Sequence, residues 1–122
     1  MTGVQTCALP ICTGALILAA AGLLTGREAT TNWQAHDALA RYGVKARHER
    51  YVFDGKYATA AGVSAGIDMA LALAARIAGD EVAQRIQLGI EYDPQPPFNA
   101  GSPETAPPHI VAEFRAASRF SR

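Results

Sequence analysis

Few residues in this chain announce a chemistry. Its 122 residues include only two cysteines, Cys7 and Cys12. Two are too few for a disulfide framework, and no histidine follows either one at metal-ligand spacing. That cysteine usage fits a reducing cytoplasm. Net charge is also lacking, since eleven basic and eleven acidic side chains cancel. The balance leaves no basic footprint for nucleic acid and no polybasic segment for a membrane surface. A small molecule or another protein is the partner class that remains. No charged residue precedes Arg27, and the apolar run from Ala8 to Leu24 has the look of a signal-peptide core. Such cores need a positive segment in front of them, and Pro10 and Gly14 interrupt a stretch already shorter than the ~20 residues of a membrane span. Proline is scarce until the end: six of the seven fall between Asp93 and Pro108, where no regular element can persist. The length supports one domain.

What is present reads as alternating strands and helices around Cys12. Ile11 closes a buried strand, Thr13 and Gly14 make a tight elbow, and Ala15 to Leu24 form a helix of small and apolar residues. A thiol at such a junction faces unpaired N–H groups and the positive end of the helix dipole, which favour thiolate. The competing reading is a buried cysteine at the start of a core helix. Glu28 to Thr31 is β-prone, and Asn32 caps a helix from Trp33 to about Tyr42, stopped by Gly43. Ala46 to Phe53 and Lys56 to Ala61 flank an Asp54-Gly55 hairpin turn. The longest helix runs from Ile67 to Ala78 and ends at Gly79. Asp80 then caps another to about Tyr92, with Val82, Ile86, Leu88 and Ile90 supplying apolar contacts. Asp93 to Pro108 is either a solvated linker or an ordered loop packed by Tyr92, Phe98 and the prolines. Ile110 to Ser118 forms a terminal helix.

Two further patterns bear on catalysis. Gly62-Val63-Ser64-Ala65-Gly66 matches the G-x-S-x-G elbow of serine hydrolases, lies between an expected strand and an expected helix, and precedes Asp80, Asp93 and His109 in the chain order of such enzymes. That sheet would need several strands before the serine, and His109 sits among prolines. Small residues for a tight turn and close helix packing are the simpler account. A hydrolytic cysteine needs a nearby base, and there are three histidines to choose from: His36 on an expected helix, His48 on an expected strand and His109 in the terminal loop. Each reads more naturally as an exposed or packing residue.

Cys12-Thr13-Gly14-Ala15-Leu16, Ala21-Gly22-Leu23-Leu24, Gly26 to Thr31 and Gly62 to Asp68 together resemble the second half of a PfpI-superfamily protein. Ile86-Gln87-Leu88, Glu91 to Phe98 and Ala100 to Pro103 narrow the resemblance to the branch that includes the isonitrile hydratases. It runs from residue 12 to about residue 113. The resemblance implies an α/β fold, the flavodoxin-like three-layer sandwich of class I glutamine amidotransferase domains, with residues 12–122 as the C-terminal portion of one domain. Met1 to Ile11 lies outside it and reads as a translated sequencing adapter, no part of the domain. In this branch water is added to an isonitrile to give an N-substituted formamide, without metal or organic cofactor. By carry-over Cys12 is the thiol and Thr13 positions water or donates a hydrogen bond. An N-terminal carboxylate completes the site in relatives and precedes Cys12, so the 122-residue chain alone is expected to be inactive. The intact protein is expected to be a homodimer whose contacts involve the Asp93 to Pro108 loop. Many relatives have Thr-Thr-His-Trp where this chain has Thr30-Thr31-Asn32-Trp33, and asparagine cannot titrate. That substitution favours hydration over amide hydrolysis. Another PfpI-type cysteine hydrolase, or a non-catalytic ligand-sensing domain, is the alternative. The resemblance also sets Gly62 to Gly66 at a late strand-to-helix junction, away from the nucleophile.

Overall fold

A computed structural model describes residues 9–120. A 3₁₀ turn, Cys12–Gly14, runs directly into α1, Ala15–Ala20. The helix stops short of the expected Leu24 because Gly22 and Gly26 take left-handed conformations, φ +79° and +74°, that unwind the chain. β1, Glu28–Ala29, pairs in parallel with β2, Lys45–Ala46. Between them Asn32 caps as expected, its side-chain oxygen accepting from the Gln34 N–H at 3.0 Å. The helix that follows is split, with a 3₁₀ turn over Trp33–Ala35 and then α2, His36–Arg41. Gly43, at φ +77°, ends it.

β3, Tyr51–Asp54, and β4, Tyr57–Ala60, form the antiparallel hairpin. Asp54 pairs with Tyr57, so the turn is Gly55-Lys56 rather than Asp54-Gly55, with Gly55 at φ +60°. Asp54 is occupied elsewhere: its carboxylate accepts from the Glu28 N–H at 2.8 Å and lies 3.6 Å from the Arg27 guanidinium. The strand expected over Ala46 to Phe53 is two pieces in two sheets, and residues 47–50 connect them. His48 therefore lies on a connection.

α3, Ala65–Ala78, ends at Gly79 with φ +93°, and α4, Asp80–Gly89, begins at once. Gly79 occupies the cap position that Asp80 was expected to fill. Asp80 and Glu81 instead put negative charge in the first turn, where the helix dipole favours it. α4 also stops before Tyr92. Val82, Ile86, Leu88 and Ile90 are exposed, and Ala83 makes the buried contact. Residues 90–107 contain no helix or strand. Tyr92 anchors the start of this segment, its hydroxyl donating to Asp68 at 2.6 Å, whereas Phe98 is exposed. α5, Pro108–Ala117, opens on proline, whose fixed φ suits a first helical position.

β4 shows how the layers arise. It is buried at all four positions, and its side chains alternate between two clusters. Tyr57 joins Ala15, Ala19, Leu24, Leu39 and Val44. Ala58 and Ala60 join Ala65 and Met69. Helices α1 and α2 thus cover one face of the strands and α3 covers the other, a three-layer α/β arrangement. Leu24 and Leu39 are fully buried in the first cluster, each contributing about 2 kcal/mol of transfer free energy. At the edge of β4 the Ala60 N–H donates to the Pro10 carbonyl at 3.2 Å, and Ile11 bridges Ala60 in parallel. Ile11 keeps 45% of its surface exposed, so it is a bridge residue and not the end of a buried strand. The adapter reading of Met1 to Ile11 falls mostly on residues 1–8, Cys7 included, which lie outside the described residues.

Candidate active site

Cys12 adopts φ +56°, a left-handed conformation that costs an L-residue about 1–2 kcal/mol and has to be held by its surroundings. On one side Ile11 is paired with Ala60. On the other, the Gly14 N–H donates to the Ile11 carbonyl at 3.0 Å and closes the turn. Across the chain, the Thr31 hydroxyl donates to the Cys12 carbonyl at 2.7 Å. The result is an extended segment, a left-handed cysteine and a helix, the backbone form of a nucleophile elbow. Thr13 is the next residue, and both are half-buried.

Gly66 makes room for this elbow. A Cβ at Gly66 would stand 3.0 Å from Ile11 Cδ1, so the glycine lets α3 approach the residue just before Cys12. That is the packing role expected of Gly62 to Gly66. Ser64 is exposed and makes no capping hydrogen bond, while His109 sits on the exposed first turn of α5.

Thr30 and Thr31 are both fully buried and tie three segments together. The Thr30 N–H donates to Thr59 Oγ1 at 2.9 Å, and the Thr30 hydroxyl donates to the Glu49 carbonyl at 2.9 Å. Beside them opens a cavity of about 300 Å³ whose lining includes Thr31, Asn32, His36, His48, Ser64 and Glu104. Neither Cys12 nor Thr13 lines it; Thr31 is the link between cavity and elbow. His36 stacks on His48 with ring centroids 4.2 Å apart and planes 5° from parallel. His36 is 7% exposed, and its Nδ1 has no hydrogen-bond partner. Burial, reinforced by the neighbouring His48, holds the His36 imidazole below its ordinary pKa, against opposing pulls from the Thr31 backbone, Asp37 and Glu104. Sequence reasoning weighs the histidines singly. The pairing has no local signal, because the two rings come from different segments.

Among the described residues no group of three or more His, Cys, Asp or Glu side chains is placed to hold a metal ion, and no helix is long and apolar enough to cross a membrane.

Comparison with known proteins decides the family. The profile of the DJ-1/PfpI family matches residues 4–76. The chain belongs to the DJ-1/PfpI family. It is 50% identical over 105 residues to an isonitrile hydratase from Pseudomonas putida, covering 86% of this chain and 46% of that protein. A crystallised ThiJ/PfpI family protein from Pseudomonas syringae superposes with a TM-score of 0.85 at 45% identity, covering 89% of this chain and 45% of that one. A transcriptional regulator of the helix-turn-helix type from Rhizobium meliloti, GlxA, is 42% identical over 78 residues, 62% of this chain and 24% of its own length. The chain thus spans about half the length of the first two DJ-1/PfpI relatives. Its three layers are those of the flavodoxin-like, class I glutamine amidotransferase-like fold that the family shares.

Proposed function

We propose that this chain is the C-terminal part of an isonitrile hydratase-like enzyme of the DJ-1/PfpI family, with Cys12 as its thiol. The observation that carries the reading is the left-handed elbow at Cys12, held by Thr31. The half-identity with an isonitrile hydratase supports the choice of reaction.

The chemistry follows from an electrophilic carbon with a lone pair. The Cys12 sulfur adds to the terminal carbon of R–N≡C, and that carbon takes up a proton, giving a thioimidate, R–N=CH–S. Water then adds to the same carbon. The C–S bond breaks, the nitrogen ends with one hydrogen, the sulfur recovers its proton, and R–NH–CHO leaves. Thr13, adjacent to the thiol, presents a hydroxyl and an N–H for the water or the developing charge. We assign the proton shuttle to no residue of this chain, which spans 46% of the length of the isonitrile hydratase. We assign the intact protein a small-molecule substrate, a homodimeric state and a cytoplasmic location.

The experiment is turnover of an alkyl isonitrile by the full-length protein, followed by formamide appearance. Cys12→Ser should abolish it, while Ser64→Ala should leave it within about twofold, since Ser64 is exposed, makes no capping hydrogen bond and lines the cavity but not the elbow. Formamide production by Cys12→Ser would overturn the assignment. The identity with a transcriptional regulator supports a second reading, in which the elbow and cavity sense a ligand without turnover. Saturable isonitrile binding with no formamide formed would favour that reading.

A further inference from the structure

Two cavities meet at Trp33. The polar one beside Thr31 shares Trp33, Gly101, Ser102 and Pro103 with an apolar pocket of about 140 Å³, whose remaining wall includes Ala106, Ile110, Val111 and Phe114. Along that shared wall they adjoin as one recess. The wall contains a turn that holds its own shape, because the Thr105 and Ala106 N–H groups both donate to the Ser102 carbonyl, at 3.1 and 2.8 Å. Trp33 is steadied by α5. Its ring lies 6.5 Å from that of Phe114, and the Arg115 guanidinium sits over it at 5.8 Å. The apolar half is therefore shaped before a ligand arrives, which lowers the cost of binding one.

Size and polarity select the occupant. An apolar cavity of about 150 Å³ accepts a benzene ring, so the pocket has room for one ring or a short branched alkyl group. In the polar half most charge is already paired. Glu49 is held by Arg47, and Arg50 by Asp68, whereas Glu104 makes no ion pair among the described residues. Asn32 commits its side-chain oxygen to the Gln34 N–H at 3.0 Å, which fixes the orientation of the amide and leaves its NH₂ to donate. A carboxylate ligand would face Glu104, and an ammonium would give the Asn32 donors no acceptor. A neutral secondary amide has one N–H for Glu104 and one carbonyl oxygen for Asn32.

We propose that this recess is a binding site for a neutral secondary amide with a ring-sized apolar substituent, the ring against Trp33 and the amide between Asn32 and Glu104. N-substituted formamides belong to this class. Neither Cys12 nor Thr13 lines either half, so the site stands independently of the reading of Cys12 as the thiol.

The test is calorimetric titration of the full-length protein with N-benzylformamide. Binding should weaken on the order of tenfold or more for N-methylformamide, which lacks the ring. Phenylacetate and benzylammonium keep the ring and change the head, and each should lose about tenfold or more, because a polar site left without its partners rejects the analogue. Val111→Trp fills the apolar pocket and should bring N-benzylformamide down to the level of N-methylformamide. Asn32→Asp keeps the oxygen that caps the turn but removes the donor, and should cost on the order of tenfold; Glu104→Gln should relax the discrimination against phenylacetate. If Val111→Trp fails to fold, Ala106→Leu narrows the same pocket from the other segment and decides in its place. No binding of N-benzylformamide, equal affinities for the two formamides, a tighter benzylammonium, or binding untouched by the filling variant overturns the proposal. Isonitrile turnover without ring-dependent formamide binding sinks this site alone. Formamide binding that the filling variant removes, in a protein without turnover, sinks the hydratase reading alone.

Discussion

Replacing Thr59 by valine should weaken the fold more than replacing it by serine, against the order of hydrophobicity. Thr59 is almost fully buried on β4, and its hydroxyl oxygen accepts the N–H of Thr30, also fully buried, at 2.9 Å. Valine preserves the shape and adds apolar character, but leaves that N–H without an acceptor in a dry site. A buried donor left unmade costs about 1–3 kcal/mol, so we expect a loss of roughly 2 kcal/mol. Serine keeps the hydroxyl and removes one methyl, at about 1 kcal/mol. Urea unfolding of the full-length protein separates the two: with an m-value of ~2 kcal/mol per molar, the valine midpoint falls by about 1 M and the serine midpoint by about half of that. The comparison isolates the hydrogen bond, because the methyl that differs works in the opposite direction. A valine variant as stable as the serine variant would refute the claim that Thr59 holds Thr30, the residue after β1, to β4 through this bond.

Three further outcomes follow from the same geometry. His36 is held below its ordinary pKa of 6.5, so the unfolded chain binds more protons than the native one as pH drops; stability from this group is complete above pH 6.5 and declines as pH falls through it. Urea midpoints plotted against pH should show that decline, and His36→Phe should flatten it. Cys12 sits at φ +56°, so Cys12→Gly should be about 1 kcal/mol more stable than Cys12→Ala; equal midpoints would mean the elbow relaxes. Gly66→Ala would press a methyl against Ile11, costing about 1–2 kcal/mol and slowing Cys12 alkylation, whereas an unchanged alkylation rate would show that the segment before the elbow adapts freely.

The elements marked by local chemistry are readable from the sequence, and those set by distant partners are not. Gly43 and Gly79 stop α2 and α3 where expected, and Asn32 caps the turn that follows it, because each acts within a few residues of itself. The family motifs around Cys12 and Gly62 to Gly66 are equally local. Asp54 departs from its expected turn position because Glu28 and Arg27 engage its carboxylate from another strand. The apolar residues of α4 keep helical spacing yet face outward, since spacing defines a face without saying what covers it. For the proposed site, the sequence draws attention to Cys12 and Thr13, but not to the buried threonine pair beside the elbow or to the two stacked imidazoles. Their partners lie in β4 and in the connection before β3, and no pattern in residues 28–50 names them.

The bridge between Ile11 and Ala60 also orders events during synthesis. A ribosome completes the turn at Cys12 before its supports, and that turn has nothing to lean on until Thr31 and then the whole β3–β4 hairpin have left the exit tunnel. The left-handed elbow is thus shaped by segments translated after it, and any stall before residue 60 leaves Cys12 without the contacts that hold its backbone.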